Sequence, residues 1–149
     1  ALMSVNKVRQ MILFFLGQMN VGYKTALNKL MFYADFVMFK EHCVGISGFT
    51  YSALPYGNVP NNFKVLYGVF DEIDEIDGER PYFMPLKECD MSVFNEDEIG
   101  VLEFVADKMA KQMSSTLSEI NHREDAWLKY KHDTKLLVPY SEAFSLKGL

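Results

Sequence analysis

Thr25-Ala26-Leu27-Asn28-Lys29-Leu30-Met31-Phe32-Tyr33-Ala34-Asp35-Phe36-Val37-Met38-Phe39-Lys40 runs without a glycine or proline. Leu27, Leu30, Met31, Ala34, Val37 and Met38 recur at helical spacing and line one face. Phe32, Phe36 and Phe39 make the adjoining face apolar as well. A helix apolar around most of its circumference belongs inside a domain, with partners on several sides. The run is too short, and too interrupted by Asn28, Lys29 and Asp35, to cross a bilayer. Asp35 is its odd residue. A carboxylate among Phe, Tyr and Val is costly to bury unless it is paired or hydrogen-bonded. The expected role is a structural hydrogen bond to a loop or a helix start. A binding or catalytic carboxylate is the alternative.

The segment sits in a chain of 149 residues with the composition of an ordinary globular protein. That length fits one domain, residues 1–149, with a core large enough to need no staples. The chain opens on Ala1, which suits a fragment, such as the C-terminal part of a longer protein. The net charge is −5 and no Lys/Arg cluster occurs. A nucleic-acid face formed by this segment alone is therefore not expected. Cys43 and Cys89 stand far apart and read as reduced thiols. His42, His122 and His132 lack ligand spacing, and the His42-Cys43 pair alone makes no zinc site. No metal or cofactor is expected. The N-terminus lacks the pattern of a signal peptide, so the cytoplasm is the default location.

Before the central helix, Ser4 can cap a first helix reaching about Gln18, with Val5, Val8, Met11, Ile12, Phe15, Leu16 and Met19 as its stripe. Asn20-Val21-Gly22 ends it, giving an antiparallel helix pair. After the central helix, Thr50 to Leu54 is rich in β-formers and reads as a short strand. Pro55 to Pro60 makes a compact turn, and Pro60 is expected to open a third helix carrying Phe63, Leu66, Val69, Phe70 and Ile73. Asp71 to Glu79 is strongly acidic. The spacing of Ile73 and Ile76 favours helix there, with a hairpin through Asp77-Gly78 as the competitor. Arg80 to Lys87 reads as an edge strand because of Pro81 and Pro85. Asn95 and Glu98 form a capping box for a fourth helix. Thr116 and Glu119 suggest a second box, opening a short helix toward His122, with Trp127 just beyond. The expected fold is mainly α: a compact domain of five or so helices with a two- or three-stranded β-element.

Motifs for catalysis are sparse. There is no Gly-rich phosphate loop and no nucleophile elbow. Asp35 and His122 could meet as an acid/base pair and serve a small hydrolase; a buried Asp–His hydrogen bond holding two helices is the plainer outcome. The turn after the strand offers more. Tyr51, Leu54, Tyr56, Gly57, Val59 and Pro60 place aromatic and aliphatic groups on a stiffened loop, a good protein-contact surface. The same side chains could equally fold inward under the helices.

Five pieces of the chain, in order and spacing, resemble the SocA-like antitoxin family, also called the Panacea domain. They are Lys29 to Phe36, Gly45 to Tyr51, Gly57 to Pro60, Phe94 to Ile99, and Ser118 to His122 continuing to Ala126-Trp127. The resemblance covers about Asn6 to Phe144. Two positions depart from it. Asn58 stands where the family often has Pro, and Asn121 where a small hydroxyl residue is common. The resemblance implies a mainly helical domain with a small β-element and a non-catalytic role. The domain would bind and neutralise a cognate protein toxin of a toxin–antitoxin pair, in a phage-associated setting. The contact surface is read from the residues and not from the resemblance: the six loop residues are expected to make the contact, and Asp35, His122 and Trp127 to be structural. An alternative is a regulatory or sensor domain of a transcription factor whose DNA-binding segment precedes residue 1. An acidic helix end and an edge strand leave room for a homodimer.

Overall fold

The computed structural model describes residues 4–149. Helix α2 (Lys24–His42) runs through the middle, and every residue from Ala26 to Met38 is buried. Leu27, Leu30, Met31, Phe32, Tyr33, Ala34 and Phe36 are wholly shielded from solvent. Each large side chain so buried contributes about 1.5–3 kcal/mol, more than any single difference in helix propensity. Packing therefore holds this helix. It is ringed by α1 (Val5–Gln18), α4 (Glu96–Met109), α5 (Ser114–Asn121) and the 3-10 segment Tyr140–Ser145. The buried apolar side chains other than Val59 form one contiguous cluster.

Local chemistry sets the helix ends. The Ser4 hydroxyl accepts the Lys7 N–H at the start of α1. Asn95 and Glu98 form the reciprocal capping box of α4. Cys43, at φ +60°, closes α2 in the left-handed conformation. The second capping box does not form. Helix α5 starts earlier, at Ser114 with Met113 as N-cap, so Thr116 already lies inside it. The buried Leu117 fixes that start against the core.

Two small antiparallel sheets complete the fold. Strands β2 (Tyr51–Leu54) and β3 (Gly57–Pro60) form a hairpin in which Leu54 faces Gly57 and Tyr51 faces Pro60. Pro60 thus ends a strand instead of opening a helix. A two-stranded sheet has only edges, which tolerate the missing N–H. Helix α3 is short, Phe63–Tyr67, and stops at Gly68. Residues 73–76, expected as helix from the Ile73/Ile76 spacing, form β4 (Ile73–Ile76) instead. The competing hairpin through Asp77-Gly78 is the observed structure, pairing β4 with β5 (Tyr82–Pro85). Ion pairs of Glu72 with Arg9 and of Glu75 with Lys24 relieve the acidic run. Strand β5 is central rather than an edge, because β1 (Gly22–Tyr23) pairs on its other side. Pro81 precedes the ladder and Pro85 ends it, so neither interrupts it. Helix α6 (Asp125–Leu128) follows α5. About half of the residues are helical, so the β-element is a larger share than a mainly α reading anticipates.

Candidate functional site

The β2–β3 hairpin lies against the middle of α2, between Lys29 and Phe36, and is held from below by buried polar groups. Asp35 anchors the chain leading into it. Its Oδ1 accepts the Ile46 and Ser47 backbone N–H groups at 2.8 and 2.9 Å. Its Oδ2 accepts the hydroxyls of Ser47 at 2.5 Å and Tyr51 at 2.6 Å. Burial pushes the carboxyl above its ordinary range, while these donors favour the ionised form. All of Asp35's hydrogen-bonding partners come from residues 46–51, and none is His122.

Lys29 lies one and a half turns earlier on α2 and is also fully buried. Its Nζ donates to the Asn58 carbonyl at 3.1 Å. Burial pulls its pKa down to about 7. The Asn58 N–H donates to Asn121 Oδ1 at 2.6 Å, and the Asn58 side-chain amide donates to the Ala126 carbonyl at 2.9 Å. Gly57 sits above this pair at φ +123°. A Cβ there would collide with the Lys29 side chain and Asn121 Oδ1. Only glycine meets both conditions.

The tip of the hairpin is pinned from its other side. Trp127 donates its indole N–H to the Leu54 carbonyl at 2.7 Å. The His122 ring stacks on Trp127 with centroids 3.9 Å apart. Burial lowers the His122 pKa against the pull of the Pro55 backbone, and the positive charges of Lys29 and Lys131 lower it further. His122 therefore belongs with Trp127 and the hairpin tip, not with Asp35.

Above this floor the loop presents few groups. Tyr56 is 72% exposed and Leu54 is partly exposed, whereas Tyr51, Gly57, Val59 and Pro60 are buried. Of the six residues expected at a contact surface, two reach solvent and four build the platform beneath them. A groove of about 390 Å³ opens beside Tyr56, walled by Leu54, Pro55, Val59 and Phe63, with Asn28 and Lys29 also lining it. Helix α3 and the turn after it leave Val65 and Val69 exposed. Sequence reasoning passed over Lys29 as a mere interruption of the apolar run. Its signal was there, a long cation at a position whose neighbours on every side are buried.

A family description, "Antitoxin SocA-like, Panacea domain", matches residues 27–128. No curated protein and no solved structure matches the chain. The matched stretch begins on α2 and ends on α6, so it contains the whole hairpin and the groups that hold it.

Proposed function

The chain belongs to the SocA-like antitoxin family, and we propose from this that it is a non-catalytic binding module. It neutralises a cognate protein toxin in the cytoplasm. The toxin docks on the exposed tip of the β2–β3 hairpin, with Tyr56 and Leu54 entering the contact and the adjacent groove and α3 face flanking it. One observation carries this reading: an exposed aromatic stands on a loop whose backbone is pinned on either side of it, at Leu54 and Asn58. A pre-ordered Tyr brings contact area with little entropy left to lose. Asp35 and Lys29 hold the loop and the chain leading into it, and Trp127 and His122 stack at its tip, which supports a scaffold role for Asp35, His122 and Trp127.

The test is co-expression with the product of the adjacent gene, scored by growth and by pull-down. The Tyr56→Asp, Val65→Asp double variant is expected to lose neutralisation and capture while its unfolding midpoint stays near wild type. Substitutions at such exposed positions usually shift stability by within about 0.5 kcal/mol. Val59 is a poor probe because it is buried. Retained neutralisation by the double variant would move the contact surface elsewhere.

A further inference from the structure

A second recess, sharing no lining residue with the groove, lies at the start of α5. Its volume is about 290 Å³, and Tyr23, Arg80, Lys111, Gln112, Ser114 and Ser115 are among the residues around it. Among the described residues no carboxylate lines it, although the chain as a whole carries a net charge of −5. The first intrahelical bond of α5 is from the Leu117 N–H to the Met113 carbonyl. The N–H groups of Ser114, Ser115 and Thr116 therefore precede the helical ladder, and Met113 offers them no side-chain acceptor. A helix start in this state favours negative charge.

An independent observation points the same way. Ser114 is 7% exposed and its hydroxyl has no hydrogen-bond partner among the described residues. A buried unpaired hydroxyl is costly, and this one belongs to a residue lining the recess. The Arg80 guanidinium lies 3.6 Å over the Tyr23 ring. Among the described residues Arg80 enters no ion pair. Lys111 gives one hydrogen bond, to the Gln18 carbonyl at 2.8 Å, which leaves donors free. We infer that this recess binds a phosphate-class oxyanion, held by the open N–H groups of α5, the Ser114 hydroxyl, Arg80 and Lys111. Arg80, stacked on Tyr23, presents a planar fork suited to such an oxyanion.

The experiment is a ¹⁵N NMR titration of the full chain at constant ionic strength, with inorganic phosphate in one arm, adenosine monophosphate in a second and chloride as control. Saturable shifts are expected at the Ser115 and Thr116 amides with either phosphate and not with chloride. Loss of a charge-assisted contact in Arg80→Ser should weaken binding about tenfold. Ser114→Ala should weaken it severalfold and leave the spectrum elsewhere unchanged. Tighter binding of the nucleotide assigns the group to a phosphate monoester, and equal binding assigns it to phosphate itself. Shifts that never saturate, that chloride reproduces, or that survive Arg80→Ser at full affinity would overturn the site.

Discussion

Lys29 and Asp35 are both fully buried on α2, and their environments differ sharply. Asp35 receives four donors across its two oxygens, while Lys29 is described with one acceptor. That Asp35 needed partners was evident from its apolar neighbours. Which partners was not, because Ser47 and Tyr51 reach it only once the turn at Gly45–Gly48 folds back. Lys29 carries the clearer consequence for stability. Its folded pKa is about 7 against an ordinary 10.5. Between those values the unfolded chain binds a proton that the folded chain does not, so this group's contribution to stability rises with pH across that window. Below about 7 both states are protonated and the cost is complete, on the order of 5 kcal/mol at most. Lys29→Met removes the titration. The variant's advantage over wild type is expected to be larger at about pH 7 than at about pH 9.5, by up to roughly 3 kcal/mol. Urea unfolding of both proteins at the two pH values measures it. An unchanged difference would mean that Lys29 stays charged in the fold.

Among the elements, the hairpins were the hardest to read. Ile73 and Ile76 suit a helix by spacing, yet Ile73 is packed inward while Asp74 and Glu75 stay exposed along β4. Pairing with β5 decides this, and pairing is not a local property. Pro60 was ambiguous for a related reason, since a helix start and an edge strand both tolerate it. The β2–β3 hairpin also brings together Asn58 and Asn121, the two positions noted as departures from the resemblance. The Asn58 backbone N–H points at Asn121 Oδ1, and a proline at 58 would have no such group to give. The two positions therefore form a coupled pair. Asn58→Pro alone strands the Asn121 oxygen and loses the bond to the Ala126 carbonyl. It should destabilise by about 1–3 kcal/mol. Adding Asn121→Ser removes the stranded group, so the double variant should be less destabilised than the sum of the singles by about 1 kcal/mol. A double-mutant cycle in urea reads this directly, and simple additivity would show that the two sites do not speak to each other.

Across the molecule, α2 is the element around which most of the others pack. It touches α1, α4, α5, β1, β3 and the 3-10 segment Tyr140–Ser145. Its apolar circumference was evident in the sequence, and so was its interior position. The placement of the peripheral pieces around it was not, because their contacts join residues far apart in the chain. Glu124 illustrates this: it accepts the Tyr33 hydroxyl from α2 and the backbone N–H groups of Lys147 and Gly148. Removing any neighbour of α2 opens part of the same buried cluster. An intermediate would thus expose apolar surface worth about 25 cal/mol per Å² with little gain in chain entropy to offset it. We therefore expect residues 4–149 to unfold as one cooperative unit. The sole tryptophan, Trp127, reports on the hairpin corner through its bond to the Leu54 carbonyl. Far-UV ellipticity reports mainly on α1, α2 and α4, the long helices. In urea the two signals should fall on a single transition with the same midpoint. A tryptophan transition at clearly lower urea would make the hairpin corner a separate, weaker unit, and the rigid platform proposed for Tyr56 would go with it.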